Sequence, residues 1–224
     1  MTSGGREVLK WVALVLMSGD HVAKVLFGGY VPVVSELGRI AFPLFAIVMA
    51  CNLAAPGADI GKSFGRLAVW AVIAQPFHAW AFGYWLPLNV LASFALAAGV
   101  VWCIHHRRWL PLVLLVVPAP LLVDYQWSGL LLVVSWWWFF RVVADRGSYV
   151  HAHHYQDARD RLLVALVCFV PLLAYNGNAW ALLALILVPL LGGLRVDVPR
   201  HRWAFYGYYV GHLAVLSLFA AFAI

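Results

Sequence analysis

Charge is what this sequence has least of. Only 11% of its 224 residues are Asp, Glu, Lys or Arg, while 65% are hydrophobic and the mean hydropathy is +0.88. That poverty excludes an ordinary soluble domain and fits an all-α, polytopic helical membrane protein forming one integral domain over residues 1–224. Cysteine is equally sparse. Cys51, Cys103 and Cys168 lie in or beside apolar runs at spacings that match no zinc pattern, so they are read as buried, inert thiols and no metal is expected. Internal repeats, inverted symmetry and low-complexity tracts are also missing. The N-terminal MTSGGREVLK leads into the first apolar run without a small-x-small cleavage site, which reads as an uncleaved first helix.

Gly, Pro and charge punctuate the remainder into nine apolar segments, at about 8–27, 37–55, 64–84, 88–104, 109–123, 128–145, 161–176, 179–194 and 204–223. A pI near 9.5 would suit nucleic acid, but the basic residues sit in short connections, where they set topology instead. Alternate connections collect Arg6 and Lys10; Lys62 and Arg66; Arg107 and Arg108; Arg141, Arg146, Arg159 and Arg161; and Arg195, Arg200 and Arg202. The opposite side receives only Lys24 and Arg39. This bias predicts about nine spans with the N-terminus cytoplasmic and the C-terminus outside. The abundant Trp and Tyr, including SWWWFF at 135–140, read mainly as interfacial anchors.

Against that background the cluster MSGDHVAK stands out inside the first segment. An acid and an imidazole in hydrocarbon cost several kcal/mol unless paired or facing water, so Asp20 and His21 are functional candidates. Being consecutive, they diverge by about 100° on a helix and cannot orient one another. Asp20 can reach Lys24 at i+4, while His21 must find its partner on another helix. Arg39 sits on the sparsely charged side, where it pairs with Asp20 or Asp124 or holds an anionic or carbonyl oxygen. Pro43, following it, suggests a kink lining a cavity. Gln75 and His78 lie in the outer half of the third segment, Asn89 opens the fourth, and Asp124 ends the fifth. In FYGYYVGHLA, Tyr208 and Tyr209 share a face with His212, as a packing network or a proton-handling one. The cytoplasmic stretch 146–161 carries His151, His153 and His154 at spacings that fit no well-specified metal site, and reads as a basic surface loop.

The blocks LKWVALVLMSGDH, GRIAFPLFA, RLAVWAVIAQPF, LN at 88–89 and DYQWSG at 124–129, with the tyrosine-rich approach to His212, resemble the TraX family of conjugation-associated membrane proteins. That family is linked to acetylation of the conjugative pilin N-terminus, and is broadly similar to other polytopic acyltransferases that use an intramembrane histidine. The resemblance implies an N-acetyltransferase of the bacterial inner membrane, using acetyl-CoA and acting on a pilin subunit or another small membrane-held acceptor, with no nucleic-acid partner. On that reading Arg66, Arg107, Arg108, Arg141 and Arg146 hold the CoA phosphates. His21 takes the proton of the acceptor amine, with Asp20 or Asp124 biasing its tautomer. Arg39, Gln75 or Asn89 stabilises the oxyanion, and His212 with Tyr209 is the alternative base. A proton-coupled transporter and a non-catalytic pilus-assembly protein are the competing classes.

Overall fold

The structure is a computed structural model that describes residues 1–145, 152–201 and 203–222. Arg146, His151 and Arg202 fall outside the described residues, as do the side chains of His153 and His154. Among the described residues the fold is helical throughout, apart from an isolated parallel bridge between Leu88 and Val123. In chain order the helices are α1 (Ser3–Leu26), α2 (Val34–Gly38), α3 (Ala41–Leu53), α4 (Ile60–Phe82), α5 (Val90–His105), α6 (Trp109–Val116), α7 (Gln126–Ala144), α8 (Ala152–Val167), α9 (Phe169–Asn176), α10 (Ala184–Gly192) and α11 (Ala204–Phe222). Short 3-10 turns at Ala119–Leu122 and Trp180–Leu183 follow α6 and precede α10.

Local chemistry sets the boundaries. Thr2 caps α1 by accepting the Gly5 amide, Asp59 caps α4 through Lys62, and Gly83 ends α4 in the left-handed region at φ 77°. Proline marks the start of three helices, two of which (α3 and α9) restart an apolar segment. Pro43, Pro111 and Pro171 each stand third in α3, α6 and α9. The first four amides of a helix have no partner within it, so a missing N–H there is harmless, whereas a continuous helix would lose a bond. Pro43 therefore starts a helix and is packed in the core; the cavity-lining kink expected from sequence is not formed.

Each of the nine apolar segments holds one helix or two short ones in series. Three stretches are both long and apolar enough to cross a membrane by length and composition, namely Val34–Leu53, Gln126–Ala144 and Ala204–Phe222. The 24 residues of α1 are long enough but carry charge, and α5 is apolar but short. The fifth, seventh and eighth segments are broken into pieces rather than forming the full-length spans expected.

The bundle packs α1 against α2, α3, α10 and α11; α4 lies on α5 and α11; and α7 bridges α3, α5 and α8. Its two ends differ sharply. At the basic end Arg6 donates to Asn52 Oδ1 at 2.7 Å, and the buried Glu7 meets Lys10 at 2.7 Å and Arg200 at 3.6 Å. At the other end lie the turns after α1, α4 and α6, with the polar residues described below.

Close backbone approach holds α1 to α10. A Cβ on Gly5 would sit 2.4 Å from the Gly192 carbonyl oxygen, and backbone cannot swing aside. Gly5→Val is expected to lower stability by at least about 1–3 kcal/mol, the usual range for overpacking. A drop in the thermal aggregation midpoint in detergent, absent for Gly65→Ala where the space is open, checks this.

Candidate functional site

The site is built where α1, α4 and α11 meet. His21 Nδ1 lies 2.7 Å from His212 Nε2, with the rings stacked at 5.0 Å and 12°. His212 Nδ1 lies 2.9 Å from the Tyr208 carbonyl oxygen, which can only accept, so Nδ1 carries the proton. In the neutral pair His212 Nε2 is then the acceptor and His21 Nδ1 the donor. His21 Nε2 is left with a lone pair and no protein partner among the described residues. Sequence led to His21 and His212 as rival bases; the geometry joins them in one chain with a defined direction. Tyr208 ties this face of α11 to α1 a second time, its hydroxyl 2.8 Å from Ser18 Oγ. Tyr209 is buried and packs its ring against both histidines.

The acid expected to orient His21 does something else. Asp20 Oδ2 pairs with Lys24 Nζ at 2.6 Å, one turn on, and the carboxylate is pressed under α2, where a Cβ on Gly38 would come within 2.3 Å of Asp20 Cβ. Asp20 Oδ1 is buried without a partner. Asp124 is also removed from His21. Its Oδ1 accepts the Tyr175 hydroxyl and the Tyr125 amide, each at 2.9 Å, and fixes the positive-φ turn into α7. The tautomer of His21 is thus set by another imidazole, because neither carboxylate is free to reach it.

Arg39 caps α2, but among the described residues it makes no ion pair with Asp20 or Asp124. The two amides assigned to the oxyanion are spent on structure. Gln75 Oε1 accepts the Asn89 amide at 2.9 Å and Asn89 Nδ2 at 2.8 Å, while Gln75 Nε2 donates to the Trp85 carbonyl at 2.8 Å. Asn89 Nδ2 also donates to the Ala71 carbonyl at 2.8 Å, and its Oδ1 caps α5 through the Leu91 amide. These bonds lock α4 to the start of α5. They leave Asn89 nothing to offer a substrate.

Spacing and motif assign no role to His78, although its ionisable ring lies one turn beyond Ala74 on a buried α4 face. It packs on Phe82, as His21 does, with ring centroids 4.9 and 5.2 Å apart from it respectively. Its polarity within an apolar segment is the signal the sequence carries. Among the described residues no three His, Cys, Asp or Glu side chains are placed to hold a metal.

Of the arginines proposed for phosphate, Arg66 lies partly buried on α4 with Nε lacking any partner, Arg107 and Arg108 are exposed between α5 and α6, and Arg141 lies 5.2 Å over the Trp137 ring. Arg146 lies outside the described residues. The first three share the end of the antiparallel α4–α5 pair opposite the histidines.

Apolar helices of spanning length, a basic end and a half-buried histidine pair at the other define a helical membrane protein with a polar site among its helices. The chain belongs to the TraX family: the family model described as TraX protein matches residues 5–220. It is similar to Protein TraX of Escherichia coli, 32% identical over 230 residues, and to Protein TraX of Escherichia coli strain K12, 30% identical over 231. Each alignment covers 97% of this chain and 88% of the relative. No solved structure matches.

Proposed function

We propose that this protein is an integral-membrane acetyltransferase that moves the acetyl group of acetyl-CoA onto an amine, the N-terminus of a conjugative pilin subunit. The observation that carries this reading is the directed chain from the Tyr208 carbonyl through His212 to His21, which presents an unprotonated Nε2 inside the bundle. An α-amine, with a reference pKa of about 8, is within the range such an imidazole can deprotonate as it attacks.

The charge asymmetry supports placing the basic end in the cytoplasm, where acetyl-CoA is made, and the histidine end toward the outer side, where a processed pilin exposes its new amino terminus. Acetyl-CoA is a co-substrate, supplying an activated acyl thioester. The residues present fit its phosphates: Arg66 has an unpartnered Nε, and Arg107 and Arg108 stand free of carboxylates among the described residues. Arg66 and His78 are twelve residues apart on one helix, about 18 Å at 1.5 Å per residue, which sets the reach a bound donor needs. Tyr209, packed against both histidines, lines the acceptor's approach.

The test is transfer of isotopically labelled acetyl from acetyl-CoA to a pilin-like peptide by the purified protein in lipid. Label on the peptide's α-amine is the expected result. Absence of both transfer and acetyl-CoA binding would overturn the reading, and proton-driven solute flux in the same vesicles would replace it with transport.

A further inference from the structure

An acyl transfer needs a donor for the oxygen that gains charge, and of the residues first suited to that task Asn89 is fully engaged and Gln75 is partly so. Asn89 spends its side chain on Ala71, Gln75 and Leu91, and Gln75 spends its oxygen on Asn89 and one N–H on the Trp85 carbonyl. Lys24 is held by Asp20 at 2.6 Å. Arg39 stands at the C-terminal end of α2, a helix packed on α1 and α3, and not on α4 or α11 where His78 and His212 lie. His212 is occupied at both nitrogens. His78 shares the Phe82 ring with His21 and has no hydrogen-bond partner among the described residues, which puts an uncommitted imidazole beside the base.

Its two nitrogens differ. Nδ1 is sealed in the protein with no hydrogen-bond partner, whereas Nε2, also without a protein partner, is not sealed. A buried N–H without an acceptor is rarer and costlier than an unused lone pair, so the neutral ring keeps its lone pair on Nδ1 and its proton on Nε2. The two imidazoles that share Phe82 therefore have opposite character: His21 Nε2 accepts a proton, and His78 Nε2–H donates a hydrogen bond.

We propose that His78 is the oxyanion donor of the transfer, an inference that rests on the acetyltransferase reading above. The amine nitrogen attacks the thioester carbonyl carbon, the C=O π pair moves onto oxygen, and the resulting oxyanion accepts from His78 Nε2–H. The amine proton passes to His21 Nε2. When the oxyanion pair re-forms C=O, the C–S bond breaks and the thiolate takes that proton from His21, leaving an amide and a free thiol. His78 neither gains nor loses a proton over the cycle, and His21 returns to its starting form.

Two substitutions separate donation from packing. His78→Phe keeps a ring against Phe82 but has no donor; His78→Gln places an amide N–H near the position of Nε2. In labelled acetyl transfer, His78→Phe is expected to lose about 10²–10³-fold in kcat with little change in KM for acetyl-CoA, the usual loss for one oxyanion donor, and His78→Gln to recover most of it. A second readout needs no turnover. Infrared spectra of bound acetyl-CoA labelled with ¹³C at the carbonyl, without acceptor, should show the stretch lowered by hydrogen bonding in wild type and His78→Gln, and unshifted in His78→Phe. Wild-type rates with an unshifted band in His78→Phe would overturn the assignment while the acetyltransferase reading stands. Loss of activity in both variants without any change in the band assigns His78 to packing and also overturns it. A wild-type protein that neither binds nor transfers overturns the reading itself, and the inference with it.

Discussion

Acetyl transfer is expected to disappear in His21→Ala, by the roughly 10²–10⁴-fold that general-base catalysis contributes, while the variant inserts and folds. The direction of the hydrogen bonds gives the reason. The Tyr208 carbonyl fixes the proton of His212 on Nδ1, His212 Nε2 then fixes the proton of His21 on Nδ1, and His21 Nε2 is left with the uncommitted lone pair. His212 is in this arrangement a positioning residue. His212→Leu leaves His21 Nδ1–H without its acceptor and frees the imidazole to rotate or change tautomer, so activity should fall but persist. His212→Gln can offer an oxygen near the position of Nε2 and should retain more activity than Leu. Initial rates for the three variants at matched protein folding, judged by gel filtration in detergent, check the order. Full activity in His21→Ala would remove it as the base. Equal loss in His212→Leu and His212→Gln would show that the ring, not the acceptor, matters.

Local rules make part of this site legible in the sequence alone. Asp20 and Lys24 are four residues apart and do pair, as helix periodicity requires. The need of His21 for a partner on another helix follows from the same periodicity, but the identity of that partner does not, since His212 is 191 residues away and no spacing rule joins them. The apolar runs locate the helices because burial demands them. What they do not show is which runs stay continuous: Pro43 and Pro171 act through steric and donor losses at one position each, and a hydropathy average does not register that. Arg39 shows the limit from the other side. Its charge invites a carboxylate, yet Asp20 already has Lys24 and Asp124 already has Tyr175, so neither needs it.

Asn89→Leu is expected to damage folding rather than chemistry. Asn89 is fully buried, and its side chain serves three partners at once: the Leu91 amide at the start of α5, the Ala71 carbonyl one turn before Gln75, and Gln75 Oε1. Pro76 within α4 withdraws the amide that would have served the Val72 carbonyl, one residue after the carbonyl Asn89 reaches. Leucine has nearly the same volume but strands the Leu91 N–H and removes the second donor to the Ala71 C=O and to Gln75 Oε1. Losing a helix cap costs about 0.5–2 kcal/mol and each stranded buried group about 1–3. Hydrogen bonds between membrane helices average nearer 0.6 kcal/mol, so about 2–4 kcal/mol for the whole substitution is a reasonable expectation. Asn89→Asp tests the same geometry with almost no change in shape. It keeps the cap on Leu91 but turns a donor into an acceptor facing Gln75 Oε1. If Gln75 flips to compensate, its oxygen meets the Trp85 carbonyl instead, and two acceptors then oppose each other. Both variants should therefore lose stability in equilibrium unfolding from mixed micelles, while the folded fraction keeps its rate per molecule. A rate deficit with unchanged unfolding would return Asn89 to the role of oxyanion donor, and would mean that its bonds to Ala71 and Gln75 open during turnover.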